Sequence, residues 1–167
     1  FVGARFELLE PVVTSRIGGH FASLGVAGNL FGIVVALDGE NDLPDSNDLS
    51  TPDVLGSTLI DLSEPSANVY GDLGITLTPG WYAVAFGSGL FGALGGGGAV
   101  NNGTSVQNVD YIGRGGLGEW ASVPVLARDG QLLEVFGVVV PEPLTALTAC
   151  SAVAVCAARQ GRRNNSP

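Results

Sequence analysis

The sequence predicts an all-β fold, an antiparallel β-sandwich of the jelly-roll type, followed by a short C-terminal transmembrane or sorting helix. Short apolar runs separated by turn residues fill residues 1–137, and no amphipathic helix of ten or more residues is apparent before residue 141. Of the 167 residues, 26 are glycine. Glycine costs backbone entropy in a helix and favours turns, bulges and close strand packing. A chain of this length is long enough for one domain with its own core.

The clearest strand signal lies in the stretch DLGITLTPGWYAVAFGSG. Leu73, Ile75 and Leu77 fall on one face with threonines on the other, which is the period-two pattern of a half-buried strand. The Thr-Pro-Gly at 78–80 supplies a turn, because proline presets φ and glycine tolerates a positive φ. The alternation resumes at 82–86, so we expect two neighbouring strands here.

Similar apolar runs indicate the remaining strands, and a total of roughly six to nine short strands favours a sandwich over βαβ units. These runs occupy residues 3–10, 12–23, 29–38, 56–63 and 131–140. Two predicted loops interrupt the strands. The first, at 38–53, is acidic and rich in turn residues, and the second, at 89–103, is rich in glycine.

The charge of the main domain is strongly negative. Before Pro141 the chain holds four arginines against fifteen aspartates and glutamates, a net charge of −11, and it contains no lysine. Such a surface repels the phosphates of nucleic acids and of anionic lipids, so neither is an expected partner of this domain. Both cysteines, Cys150 and Cys156, lie beyond it, which excludes a disulfide framework within the domain.

The acidic loop is a candidate calcium site, because calcium binds about six to eight oxygen ligands and closely spaced carboxylates supply them. The candidate ligands are Asp38, Glu40, Asp42, Asp45 and Asp48. An EF-hand is excluded, since counting from the first aspartate puts Leu43 at the required glycine and Leu49 at the required bidentate glutamate. The alternative is that aspartate and asparagine cap turns and keep the loop solvated.

No catalytic constellation is apparent, so we predict that the chain is not an enzyme and, calcium apart, uses no cofactor. The strings GSGLFG at 87–92 and GRGGLG at 113–118 match the dinucleotide fingerprint, but neither opens a predicted helix that could receive a pyrophosphate. His20 is the only histidine, and no serine lies in a G-x-S-x-G elbow.

Four aromatic residues have two interpretations. The residues are Trp81, Tyr82, Tyr111 and Trp120. Packing in the core is the first interpretation, and a flat platform on which sugar rings stack is the second.

The C-terminal segment indicates the cellular localisation of the protein. Leu144 to Ala158 is a run of fifteen residues without a charge, about 22 Å long as a helix, against about 30 Å for a hydrocarbon core. An acidic residue and two prolines precede the run, and the arginines at 159–163 follow it. Because cytoplasmic flanks carry the positive charge, we expect residues 159–167 inside and the acidic domain outside.

Pro141, Glu142 and Pro143, followed by a short apolar run and then by an arginine cluster, resemble the PEP-CTERM sorting signal of exported bacterial proteins. The resemblance implies anchoring in the inner membrane and recognition of the Pro-Glu-Pro motif by an exosortase, in species that make extracellular polysaccharide. It also implies a cytoplasmic stop made by three residues. These are Arg159, Arg162 and Arg163.

The body of the chain is similar to glycine-rich PEP-CTERM domains of unassigned role, at residues 44–62 and 77–93. The expected organisation is an exported domain, a linker with the Pro-Glu-Pro motif, an apolar anchor helix and a basic cytoplasmic tail. These segments are 1–137, 138–143, 144–158 and 159–167.

The sequence as a whole favours a non-enzymatic, structural protein of the cell surface or extracellular matrix. It would be anchored first in the inner membrane, with an exosortase and the exopolysaccharide as partners and no nucleic acid. The alternative is a calcium- or carbohydrate-binding module of the exopolysaccharide matrix.

Overall fold

The computed structural model of the chain describes residues 1–102, 109–116, 118–124 and 130–141. Its described part is all-β with antiparallel sheets and contains no helix, as the sequence predicts. The strands are β1 (Val2–Leu8), β2 (Val12–Val26), β3 (Asn29–Leu37), β4 (Val54–Asp61), β5 (Ala67–Asp72), β6 (Thr76–Leu77), β7 (Gly80–Gly87), β8 (Gly96–Ala99), β9 (Asp110–Gly113), β10 (Ala121–Ser122) and β11 (Leu133–Val139).

The strands form two sheets. Sheet A has the order β10-β9-β1-β7-β3-β4, and sheet B has the order β11-β2-β5, with β6 and β8 also paired to β2. The long strand β2 is therefore the centre of sheet B, because each of the other four strands of the sheet pairs with it. This arrangement brings residues far apart in sequence onto one sheet face.

The two sheets share an apolar cluster. Sheet A contributes Leu30, Val34 and Phe86, and sheet B contributes Ile17 and Phe21, all of them buried. The predicted alternation holds here, since the inward residues of β7 lie in this cluster. Each large apolar side chain that is fully buried contributes about 1.5–3 kcal/mol, so this cluster is the main source of stability.

The outer face of sheet A is also covered. Phe31, Ile33 and Val35 of β3 pack there against Leu49 of the acidic loop and against Trp120. Burial on both faces explains why β3 is an almost continuous apolar run rather than an alternating one. The acidic loop thus covers this face of sheet A and buries Leu49 against it, while the carboxylates of Asp38, Glu40, Asp45 and Asp48 are exposed.

Some of the predicted boundaries are wrong. Within 72–78, which the alternation predicts as a strand, only Thr76–Leu77 pairs in a sheet, although Leu73 and Leu77 are buried as expected. The predicted glycine-rich loop at 89–103 contains β8, which pairs with β2. Glycine has a low strand propensity, but β2 offers unpaired backbone groups, and pairing with a neighbour overrides that propensity.

The C-terminal predictions fall mostly outside the described residues. Pro141 is described and exposed. The segments from 142 onward lie outside the described residues, and they include the rest of the predicted sorting motif, the predicted anchor and the arginine cluster. Among the residues that are described, no helix is long and apolar enough to cross a membrane.

Candidate functional site

The outer face of sheet B carries a cluster of polar and aromatic side chains. We call it the Tyr70 cluster, and its members are Arg16, His20, Asn68, Tyr70, Glu134 and Phe136. The register of the strands explains why they meet. Arg16 is paired with Phe136, and His20 with Asn68, while Tyr70 and Glu134 both lie opposite Gly18. Residues directly opposed across antiparallel strands share one face, so β5, β2 and β11 present these side chains together.

The guanidinium of Arg16 lies over two aromatic rings that contact each other. Its Cζ is 4.6 Å from the centre of the Tyr70 ring and 4.4 Å from the centre of the Phe136 ring. The two rings are themselves 5.4 Å apart at 82°. A cation over an exposed ring contributes about 0.5–1 kcal/mol, and two such contacts hold the Arg16 side chain in one orientation.

A pair of short hydrogen bonds fixes the polar members. The hydroxyl of Tyr70 donates to Oε2 of Glu134 at 2.6 Å. Burial raises the pKa of Tyr70, and the Glu134 carboxylate raises it further, so the phenol stays protonated near neutral pH. Nδ1 of His20 lies 2.6 Å from Oδ1 of Asn68. Because an amide oxygen only accepts, the imidazole donates through Nδ1 in this contact.

Gly18 lets the Tyr70 ring lie close to the strand. A Cβ at this position would come within 2.6 Å of Cδ1 of Tyr70 and 2.1 Å of the carbonyl oxygen of Val69. No side chain fits there, so the ring lies across β2 beside a donor, Arg16, and an acceptor, Glu134. An aromatic face with adjacent donors and acceptors suits a sugar ring, which has apolar C–H faces and a rim of hydroxyl groups.

The carboxylates of the acidic loop are used in turns. Asp42 Oδ2 accepts from the backbone N–H of Asp38 at 2.7 Å, and Asp53 Oδ2 accepts from that of Asp45 at 3.0 Å. Asp48 Oδ1 accepts from the Ser50 hydroxyl at 2.8 Å. These hydrogen bonds are the kind expected if the aspartates cap turns, which is the alternative to calcium binding. Within the described residues, no group of three or more His, Cys, Asp or Glu is placed to hold a metal ion, and calcium binding stays a prediction.

The charges of this loop also differ in their surroundings. The neighbouring carboxylate of Asp53, partial desolvation and the charges of Asp42 and Asp38 together raise the pKa of Asp45. Hydrogen bonds from Ser50 and Ser46 lower the pKa of Asp48. Repulsion therefore acts at one end of the loop, while hydrogen bonding stabilises the negative charge at the other.

A groove of about 260 Å³ lies beside this loop, lined in part by Asp45, Asn47, Glu119 and Trp120. Trp120 forms its floor but is buried, and its indole N–H donates to the carbonyl oxygen of Ser46 at 3.2 Å. The groove thus offers acidic and amide groups without an exposed aromatic face.

The four aromatic residues named from the sequence do not form a platform. Tyr82, Tyr111 and Trp120 are buried, and Trp81 is half-buried. The hydroxyl of Tyr82 donates to the carbonyl oxygen of Thr78 at 2.7 Å, which satisfies it inside the protein. Core packing is therefore confirmed for the three buried residues. The half-buried aromatic residues Tyr70 and Phe136 of sheet B were missed, because only the strand register shows that they meet.

Arg5 is a buried cation on the covered side of sheet A. It forms a salt bridge of 2.7 Å with Asp110 and donates to the hydroxyl of Ser122 at 2.9 Å. It also donates to the backbone carbonyl of Asp42 at 3.1 Å, and its Nε is buried without a partner. Arg5 thereby connects the acidic loop to β9 and β10, and its role is structural.

A cleft of about 520 Å³ opens between the two sheets, near β8. Apolar side chains such as Leu30 and Phe86 line it, together with glycines and one cation, Arg114. The guanidinium of Arg114 lies 5.3 Å from the centre of the Phe1 ring, and its Nε donates to the carbonyl oxygen of Gly118 at 2.7 Å. Neither fingerprint-like glycine string precedes a helix in the described part of the chain.

Comparison of the chain with protein-family models, with curated proteins and with solved structures found no match.

Proposed function

We propose that the chain is a non-enzymatic protein exported to the cell surface or extracellular matrix, sorted by a C-terminal signal of the PEP-CTERM type. The observation that carries this proposal is the order of three features after the last strand. Pro141 lies exposed directly beyond β11, the Pro-Glu-Pro motif continues from it, and an uncharged run and an arginine cluster follow. In this proposal the two sheets form a jelly-roll-like β-sandwich, and residues 144–158 form the anchor helix in the inner membrane.

Each part of the tail has a role in this proposal. Pro141, Glu142 and Pro143 are the motif that an exosortase recognises, and Arg159, Arg162 and Arg163 keep the end of the chain in the cytoplasm. The large negative charge before Pro141 suits a soluble external domain and not a nucleic-acid partner.

The test is the intact mass and the C-terminal peptide of the protein recovered from the surface fraction of its own cells. A chain that ends near Pro143 supports sorting with removal of the anchor. A Glu142→Gln variant should then keep its tail and stay in the inner membrane, while a Glu64→Gln variant, altered at an exposed site in the main domain, should be processed normally. A native chain that still ends in RRNNSP in the inner membrane refutes the exosortase role, and a native chain that still ends in RRNNSP but does not associate with the membrane refutes the anchor.

A second candidate function is carbohydrate binding by the Tyr70 cluster on the outer face of sheet B. The specific observation is the Arg16 side chain held over two aromatic rings, with a hydrogen-bonded Tyr70–Glu134 pair beside it. The cluster combines one cation with one carboxylate, so it favours a neutral sugar chain over a charged one.

Affinity electrophoresis tests this candidate, in gels with and without the exopolysaccharide of the same cells. The native chain should be retarded, and Tyr70→Ala and Phe136→Ala should each abolish the retardation. Phe91→Ala is the matched control, since Phe91 is a partly exposed aromatic residue outside the cluster. Equal migration of all variants in both gels would exclude this function.

A further inference from the structure

Exposed apolar side chains gather where β11 ends. We call this group the valine patch, and it consists of Leu9, Val13, Val138 and Val140, with exposed fractions of 79, 40, 71 and 40 %. The register brings them together. Val13 pairs with Val138, and the N–H of Val140 donates to the carbonyl oxygen of Pro11 at 2.9 Å, next to the turn that carries Leu9. Apart from Val139, the other large exposed apolar residues of the described chain lie on β4, near the far end of β2 and in the loop before β8.

Apolar residues scattered singly on a surface need no explanation, but a contiguous group marks a surface that is covered in the working protein. The edge position of β11 strengthens this point. Sheet B ends at β11, so the strand's outer backbone groups have no strand partner among the described residues. Exposed edges usually carry charges that discourage association, whereas this edge ends in three valines.

The length of the tail limits what can cover the patch. Only Pro141, Glu142 and Pro143 separate Val140 from Leu144, where the uncharged run begins. Four steps of the chain span at most about 14 Å. The headgroup layer on each side of a bilayer is roughly 5–8 Å thick, so an anchored chain holds the valine patch beside this layer.

We propose that the valine patch rests in the headgroup layer of the membrane that holds the anchor. This inference rests on the proposed function, because it assumes that residues 144–158 enter the bilayer. The occupant is a zwitterionic lipid surface. Glu7 and Glu10 flank the turn and the domain as a whole is acidic, so anionic headgroups would be repelled.

The experiment uses the full chain with one cysteine at a time. In a Cys150→Ser, Cys156→Ser background, Val138→Cys places an environment-sensitive fluorophore in the patch. Leu94→Cys is the matched control, because Leu94 is 85 % exposed and lies outside the patch. Vesicles of phosphatidylcholine and phosphatidylethanolamine carry quenchers attached at headgroup depth. The probe at 138 should shift to shorter wavelength and lose most of its emission, while the probe at 94 should keep both its wavelength and its intensity.

A third probe separates this inference from the proposed function. Native Cys150, labelled in a Cys156→Ser chain, should be quenched by quenchers placed deep in the acyl layer. If the probe at 150 is quenched and the one at 138 is not, the domain stands off the membrane and only the present inference fails. If neither is quenched, the anchor itself fails.

The position of the probe emission and its quenching also distinguish lipid from protein as the cover of the patch. A probe at 138 that shifts to shorter wavelength without lipid quenching would mean that protein covers the patch, either a second copy or the chain's own tail, and would overturn the proposal. If Val138→Cys does not fold, Leu9→Cys replaces it, because the side chain of Leu9 lies on a turn and projects into solvent. With anionic lipid added, quenching should fall at low salt and recover at high salt as the charges are screened.

Discussion

The ion pair between Arg5 and Asp110 should respond unequally to the loss of its two partners. The side chain of Arg5 is 3 % exposed, while that of Asp110 is 43 % exposed. Asp110→Asn leaves a buried cation without its counter-charge. Arg5→Met removes that cation and leaves a carboxylate that water can reach. We therefore expect the change at the more exposed residue to be the more destabilising one.

The magnitudes follow from the contacts. Removing one partner of a buried ion pair costs about 3–5 kcal/mol, and because Asp110 is partly solvated we expect about 3 kcal/mol for Asp110→Asn. Arg5→Met loses the charge-assisted hydrogen bonds to the Asp42 carbonyl and to Ser122, at about 1.5 kcal/mol or more each, but it also removes the desolvation cost of a buried guanidinium, so we expect a net loss of about 2 kcal/mol. The double variant should resemble Arg5→Met alone, which gives a coupling energy of about 3 kcal/mol.

Urea unfolding of the full chain, native and with the two single changes and the double change, measures these free energies in one detergent buffer. The slope with urea should stay constant across the four chains, which shows that stability and not the unfolded state has changed. Equal effects of the two single changes would mean that water reaches Arg5 in solution. In that case the reasoning from burial fails.

The remaining predictions concern the Tyr70 cluster and the acidic loop. Gly18→Ala should cost about 1–3 kcal/mol, because the new Cβ would overlap the Val69 carbonyl oxygen and the Tyr70 ring, and it should abolish any polysaccharide retardation. Gly98→Ala is the control, since its new Cβ would meet only a side chain at 3.7 Å, and it should change the free energy of unfolding by less than about 0.5 kcal/mol. Asp45→Asn should raise the melting temperature at neutral pH, because its neighbours raise the pKa of that carboxyl and so penalise its charge in the folded state; the gain should vanish at acid pH. Asp48→Ala should lower the melting temperature at neutral pH, since hydrogen bonds hold the pKa of Asp48 down, and this loss should also fade as the pH falls through that pKa. If the acidic loop binds calcium, a hundredfold excess over the dissociation constant should stabilise the protein by about 2.7 kcal/mol.

Each of these predictions has a result that contradicts it. Equal melting temperatures for the Gly18 and Gly98 variants would mean that β2 and β5 can move apart at Gly18 without a loss of stability. A fall in melting temperature for Asp45→Asn at neutral pH would show that its charge stabilises the loop. A melting temperature that does not respond to calcium at millimolar concentration would remove the calcium hypothesis.

The sequence predicted the class of the fold because that class depends on local alternation. The inward residues of 73–77 and 82–86 could be recognised from period two alone, and they are buried as expected. The strand β8 could not be found in this way, because Gly96–Ala99 has no side-chain pattern and forms a strand only through its pairing with β2.

The Tyr70 cluster depends on contacts between distant parts of the chain. Tyr70 and Phe136 are separated by 66 positions, and only the register of β5 and β11 against β2 brings them to one face. The burial of Arg5 could not be predicted from the sequence for the same reason. Period two places it on the face opposite Ala4 and Phe6, and nothing in that strand indicates that a loop 37 positions away will cover it.

One extra residue in β2 joins the two exposed surfaces of sheet B. Arg16 pairs with Phe136 and Thr14 with Gly137, so Ser15 has no partner in β11 and forms a β-bulge. Upstream of the bulge Thr14 is buried, and its hydroxyl accepts from the N–H of Ile75 at 3.0 Å. Without the extra residue, the regular alternation of side chains along β2 would point Thr14 out of the protein and Val13 into it. The bulge therefore allows a single strand to present a cation to the Tyr70 cluster and, three residues earlier, an apolar side chain to the valine patch.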